Sequence, residues 1–243
     1  YVGESYGTQL GQFLLRDHPE ALSAIILDGV VPVTKTSEIQ VTDIPGSFTQ
    51  IWDACAADEA CHAAYPDPEG ELRKVVDSLN AKPETLKVDV DGKTTDVVVN
   101  GQTAMAALSD AMGAPAFNQK LPSVVYRMSA GALQYALAPL VAARLKPEDN
   151  ANVQHYAINC SDDPMRQVDI AAAADVVDPL YAGLVADQAT RDADGCDALG
   201  LTQLPDSTDT PLAGDLPTLL IQGGLDPYTP ISGGDTVVNG LSK

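Results

Sequence analysis

The sequence predicts an α/β fold: a parallel sheet with flanking helices, interrupted by a mostly helical insertion that contains a β-hairpin. Three observations carry this. Gly3-Glu4-Ser5-Tyr6-Gly7 is a G-x-S-x-G pentapeptide, the mark of a sharp strand-to-helix turn. Pro217 to Gly223 (PTLLIQG) is a short continuous apolar run, the sign of a strand buried on both faces. Between them lies a long stretch of helical periodicity with one alternating segment.

Taken in order, Thr8 to Asp17 reads as a helix, with Leu10, Phe13 and Leu14 at helical spacing and an end at His18-Pro19. Leu22 to Leu27 reads as a buried strand stopped by the Asp28-Gly29 turn. Residues 1–32 thus form a first part of the sheet unit. The texture changes at Val33. Ile39 to Tyr65 is mainly helical and carries Trp52; Pro66 to Gly70 breaks it, and Glu71 to Leu79 resumes a helix. Leu86 to Val99 alternates apolar and polar residues around Asp91-Gly92, a hairpin signal. Three further helices are expected over Gly101–Met112, Leu121–Ala130 and Leu133–Leu145. Residues 33–150 therefore read as a lid-like insertion, the alternative being an unrelated α+β domain. Residues 151–243 read as a return to the sheet unit. There Val153 to Asn159 (VQHYAIN) is strand-like and leads into Cys160-Ser161-Asp162-Asp163. Helical segments follow at Asp169–Val177 and around Pro179–Ala186, then a polar loop that runs from there through Cys196 to Asp215. The final apolar strand ends in Gly224-Leu225-Asp226-Pro227.

Charge narrows the range of partners. Fourteen Lys and Arg stand against 34 Asp and Glu, a net charge of −20. Such a field repels nucleic acid and anionic membrane surfaces, so neither is expected as a partner. It favours a cationic substrate, such as a peptide with a free amino terminus; a merely solubilising acidic surface is the alternative. No apolar run approaches the length of a membrane span, so no membrane insertion is expected. There is no C-x-x-C pair and no zinc spacing among the histidines, so neither a metal site nor a cofactor is expected. The four cysteines, Cys55, Cys61, Cys160 and Cys196, allow three pairings. Cys55–Cys61 with Cys160–Cys196 is favoured, which implies an oxidising compartment; four free thiols are the alternative.

The pentapeptide carries the chemistry. A serine hydroxyl is a poor nucleophile until a base takes its proton, and the base must be oriented by a carboxylate. Around this motif the chain order is Ser, then Asp or Glu, then His. Ser5 fits the nucleophile, and the backbone N–H of Tyr6 fits one oxyanion donor. Asp226 fits the acid, because it follows an apolar strand in a Gly-rich turn; a turn-forming Asp before Pro227 is the alternative. The histidine is missing. His18, His62 and His155 all precede Asp226, and only 17 residues follow it (243 − 226). Another helix, strand and loops would overrun that length. The base is therefore expected beyond Lys243, and this chain reads as an inactive piece of a longer hydrolase.

At this point the residues resemble the tripeptidyl-aminopeptidase-like branch of the prolyl-aminopeptidase-type α/β-hydrolases. The matching pieces are GESYGTQLGQFLLRDHPE, IILDGVVP, WDACAADEAC, YAINCSDD and PTLLIQGGLDPYTP, in the family's order. The resemblance implies a partial α/β-hydrolase core with a helical lid, in secreted or periplasmic serine hydrolases. Many of these release short peptides from a free amino end and some act as esterases. It carries Ser5 over as nucleophile and Asp226 as triad acid, and it supports the two disulfides. Asp162 and Asp163 are candidate amine-binding carboxylates because they follow a strand returning from the lid, with a solvated turn as the alternative. The family's early core strands, oxyanion loop and histidine have no counterpart here. Three functions are thus in view: an exo-acting peptidase, a carboxylesterase, and a non-catalytic binding protein on a hydrolase fold.

Overall fold

The computed structural model describes residues 1–34, 37–146, 151–162 and 169–242, which form a mixed α/β structure. Strand β1 (Val2–Glu4) runs through Ser5 into helix α1 (Tyr6–Asp17), and β2 (Ile25–Asp28) follows after a short 3₁₀ turn. The apolar stripe of α1 lies on the sheet so closely that a side-chain carbon at Gly11 would come within 2.9 Å of Ile25 and 3.0 Å of Leu27. Next come helices α2 (Ser37–Ala57), α3 (Glu59–Ala64) and α4 (Pro68–Ala81), then the hairpin β3 (Glu84–Val90) and β4 (Lys93–Val99). Helices α5 (Gly101–Ala111), α6 (Pro115–Asn118), α7 (Leu121–Ser129) and α8 (Leu133–Arg144) follow. After them come α9 (Ala151–Asp162), α10 (Ile170–Asp175) and α11 (Pro179–Leu199). Strand β5 (Thr218–Ile221) and helix α12 (Ile231–Val238) complete the order.

Three strands, β1-β2-β5, make a parallel sheet with Gly3 beside Leu27 and Leu27 beside Leu220. Alternation puts Ile25, Leu27 and Leu220 on one face, where Leu15 of α1 and Val237 of α12 pack against them. The other face carries the row Val2, Ile26 and Leu219, with Val2 70% and Leu219 54% exposed. This corrects the expectation for residues 217–223. Both flanking helices join the same cluster, so among the described residues β5 is covered on one side only, with Leu219 and Ile221 exposed on the other.

The residues between β2 and β5 build a second, larger core. It holds Phe48 and Trp52 of α2, Leu72 and Val76 of α4, Leu86 and Val88 of β3, and Leu108 of α5, with Leu137 of α8 and Tyr181 of α11. The rings of Phe48 and Tyr181 lie 5.3 Å apart. The Tyr181 hydroxyl is deeply placed yet satisfied: it accepts from Trp52 Nε1 (3.2 Å) and donates to Glu69 (3.3 Å). Burial pushes its ionisation upward, which keeps it a neutral donor. The hairpin turns through Asp91 (φ 54°) and Gly92 (φ 82°), the two left-handed residues that a two-residue loop requires. One edge of β3 is closed by a side chain: Gln134 of α8 accepts from the Lys87 N–H and donates to its carbonyl.

Cys55–Cys61 joins α2 to α3, and Cys160–Cys196 joins α9 to α11. The second pairing sits where sequence periodicity misleads. Residues 153–159 are not a strand but the middle of α9. Buried Cys160 and half-buried Tyr156 are four apart, a spacing that stacks them on one helical face toward α11. Helix α11 also runs to Leu199, so Cys196 lies in a helix rather than in a loop. Helix α4 begins earlier than expected, at Pro68, because proline suits the first helical position and Asp67 caps the end by accepting from the Gly70 N–H. No described helix is long and apolar enough to cross a membrane.

The open apolar row and the outer edge of β1, which pairs on one side only among the described residues, favour self-association. The 1–243 chain is expected to elute as dimers or larger species at micromolar concentration. The double variant Val2→Thr/Leu219→Thr should shift it toward monomer. Light scattering on a sizing column checks this; an unsubstituted chain that is already a sharp monomer would refute it.

Candidate functional site

Ser5 stands between β1 and α1 with φ 52° and ψ −123°. This is a backbone region that an L-residue enters at a cost of about 1–3 kcal/mol, and it persists only where the surroundings enforce it. The surroundings do so. The Ser5 N–H donates to the Asp28 carbonyl at 2.9 Å, extending the β1–β2 ladder. The Ser5 carbonyl accepts from the Thr8 N–H (2.8 Å) and the Thr8 hydroxyl (2.7 Å). Fully buried Thr8 also accepts from the Val31 N–H at 2.9 Å, so one hydroxyl bridges α1 to the segment after β2. Gly3 is needed for space, since a side-chain carbon there would run into the Gly7 carbonyl and the Tyr1 ring. Gly7 is not pressed in the same way: its nearest neighbour would be the Tyr1 hydroxyl at 3.7 Å, an ordinary contact.

Ser5 is also the N-cap of α1, yet its side chain makes no capping bond. The contrast is internal to the molecule. Asp58, Asp67, Asn100, Asp169 and Asp178 all cap their helices by accepting a backbone N–H. At Ser5 the turned-back conformation carries the hydroxyl away from that duty and leaves the residue exposed. Tyr6 is the first residue of α1, so its N–H belongs to the positive end of the helix dipole.

Asp226 follows β5 and organises its own turn. One carboxylate oxygen accepts from the N–H groups of Tyr228 (2.9 Å) and Thr229 (3.0 Å); the other accepts the Thr229 hydroxyl at 2.6 Å. The turn-forming role is therefore real, but a carboxylate has about four lone-pair sites, and three are used. Thr229 links this turn to the serine. Gly29, at φ 64°, lies between them: a side-chain carbon there would sit 3.0 Å from Thr229 Oγ1 and 3.9 Å from the Ser5 nitrogen. The C-terminal ends of three adjacent parallel strands thus bring Ser5, Gly29 and the Asp226 turn together. That is where open parallel sheets hold ligands. Gln222 braces the same end, donating to the Pro230 carbonyl at 2.8 Å.

The remaining expected residues lie elsewhere. His18 sits at the far end of α1, about 18 Å along a 12-residue helix, exposed and 3.5 Å from Glu20. His62 is exposed on α3. His155 belongs to α9, with its side chain outside the described residues. The rationale for Asp162 and Asp163 does not hold, since they follow a helix rather than a strand; Asp162 ends α9, its side chain lies outside the described residues, and so does Asp163. Among the described residues no cluster of three or more His, Cys, Asp or Glu is placed to hold a metal. A cavity of about 550 Å³ opens between α5, α8, α9 and α11, lined by Asp110, Arg144, Tyr156, Gln188 and Arg191 and bounded by Tyr228, two residues past Asp226.

Thr8, Gln222 and Thr229 were missed as site residues. For Thr229 a signal existed: Asp226-Pro-Tyr-Thr opens with an Asp that can form an Asx turn to the N–H two residues on, which brings the hydroxyl at the third position within its reach. No protein-family model matches the chain, and no curated protein does.

Strain at Ser5 makes a prediction that runs against ordinary propensity. Ser5→Gly should be more stable than Ser5→Ala by about 1 kcal/mol, because only glycine accepts this backbone without cost. Urea melts of the two variants decide it; an alanine variant of equal or greater stability would show that the turn is not strained.

Proposed function

We propose that this chain carries the nucleophile and the acid of a serine hydrolase of the α/β class, with the helical unit as a lid over the site. The observation that carries the reading is Ser5: a strand-to-helix serine at φ 52° whose hydroxyl is withheld from capping. Its placement at the same sheet end as the Asp226 turn supports the pairing. So does the resemblance to the tripeptidyl-aminopeptidase-like hydrolases, from which the exo-peptidase assignment comes.

In this mechanism Ser5 Oγ attacks the substrate carbonyl while a histidine, supplied from outside residues 1–243, takes its proton. The oxyanion of the tetrahedral intermediate is stabilised by the Tyr6 N–H, aided by the helix dipole. The histidine then protonates the leaving amine or alcohol, and water hydrolyses the acyl-Ser5 ester by the same route in reverse. Asp226 uses its remaining lone-pair capacity to orient the imidazole and to stabilise its protonated form. The two disulfides support a secreted or periplasmic setting, and the charge of −20 supports a substrate with a free ammonium group.

The test compares a free peptide anilide with its N-acetylated form, using the longest natural form of the protein. The free substrate should be cleaved faster, and Ser5→Ala should lower kcat roughly a million-fold. Equal rates on both substrates would replace the peptidase with a carboxylesterase. Residues 1–243 alone should react little with a serine-directed phosphonate. If the longest form neither hydrolyses nor takes up the phosphonate at Ser5, a non-catalytic binding protein replaces the hydrolase.

A further inference from the structure

We propose that the helical unit positions Asp226 by gripping the backbone on each side of it, through Asn118 and Ser47. This rests on the reading of Asp226 as the catalytic acid. Asn118 ends α6 and is 3% exposed; its Nδ2 donates to the Leu225 carbonyl at 3.0 Å. Ser47, on α2 and 5% exposed, points Oγ at the Pro227 carbonyl at 3.3 Å, nearer than the Asp43 carbonyl of its own helix at 3.5 Å, which competes for its one proton. The carbonyls immediately before and after Asp226 are therefore both held by side chains from the other core. They lie 107 and 180 residues away in sequence, so no local folding rule demands them. Tyr228 adds a third contact, its ring filling the space that a side chain at Gly113 would need.

Asn118 is a polar residue at a buried position: among the described residues its Oδ1 has no hydrogen-bond partner, a destabilising arrangement that a leucine of similar size would avoid. The Leu225 carbonyl can only accept, which fixes the NH₂ end of the amide toward the turn. Within the turn Pro227 has no N–H to offer, and the Asp226 N–H makes a long 3.3 Å bond to Gly223. The bonds made by the Asp226 carboxylate order the residues after it. Asn118 and Ser47 tie the turn to the helical unit, as Gln222 ties its far end to the sheet through Pro230 and Val30. They are positioning residues: they touch backbone, and they act through Asp226.

Two measurements test this. In the 1–243 chain, Asn118→Asp replaces the donor with a repelling oxygen at nearly constant shape. It should speed hydrogen exchange at the Tyr228 and Thr229 amides roughly tenfold or more, while the amides of α5 and α7 keep their rates. Ser47→Ala should give a smaller rise at the same two amides, and it alone decides the question if Asn118→Asp does not fold. Unchanged exchange in the turn, or an equal rise in α5 and α7, overturns the grip. In the longest natural form, Asn118→Asp should lower kcat roughly ten- to a hundredfold at constant KM. It should add nothing in an Asp226→Asn background, because the two substitutions remove the same function. A KM effect, or additive losses, overturns the positioning role. A protein with no hydrolase activity at all would overturn the catalytic reading of Asp226 and leave the exchange result to judge the grip by itself.

Discussion

Ser5 is anchored through the peptide units on both of its sides, and the site is arranged around that anchoring. Its N–H is fixed to Asp28 and its carbonyl to Thr8, so the residue between them has little freedom to relax from φ 52°. Thr8 spends its remaining bonding capacity on Val31, and Gln12, one turn further along α1, donates to the Val31 carbonyl at 2.7 Å and accepts from the Val33 N–H at 3.2 Å. Two buried polar side chains on one helix thus hold the chain that leaves β2. Buried polar groups are tolerated when fully bonded, and then they specify geometry more sharply than apolar packing does. The serine is held by the backbone and by these two residues, leaving its own hydroxyl unemployed in the fold.

The two cores stand in different relations to the solvent. The helical unit closes around Phe48, Trp52 and Tyr181 and satisfies its one buried phenol internally. At its rim, Arg73 pairs with Asp178 at 3.0 Å, and this ion pair holds the Asp178 carboxyl below the usual carboxylate range. The sheet unit is thinner, with one face clothed by α1 and α12 and the other open. It gains order where it meets the helical unit, at the turn after β5. A small sheet with one covered face is a poor platform by itself; docked against a well-packed neighbour it holds its loops in register.

Much of this was legible in the sequence. The G-x-S-x-G turn, α1, β2, the Asp91-Gly92 hairpin and the helices around it follow from local periodicity and turn chemistry, which act over a few residues. Both cysteine pairings also agree with the expectation. The failures share a cause. Residues 153–159 contain apolar positions compatible with periods of 2 and of 3.6, and the choice is made by Cys196 and Tyr156, through packing against α11. Whether β5 is covered on one face or two depends on where helices lie, which no window of seven residues contains. Asn118 and Ser47 meet the Asp226 turn from distant points in the chain, and nothing local to them announces it.

The strands that carry Ser5 and Asp226 are separated by β2 in space and by almost the whole chain in sequence. Ile25 pairs with Thr218, and the Val30 N–H donates to Gln222 Oε1, 192 residues later. Closing such a loop in an unfolded chain carries an entropic cost that grows with its logarithm, and the reward is a short strand pairing. The intervening residues change this by collapsing first into their own core, which shortens the effective loop to the few residues that leave and enter it. Pairing of β2 with β5 is then expected to follow formation of that core, with a slower phase in probes of β2 and β5 than in probes of the helices. The geometry at the strand ends, where Ser5 meets the Asp226 turn, therefore depends on the two ends of the chain finding each other across the core that lies between them in sequence.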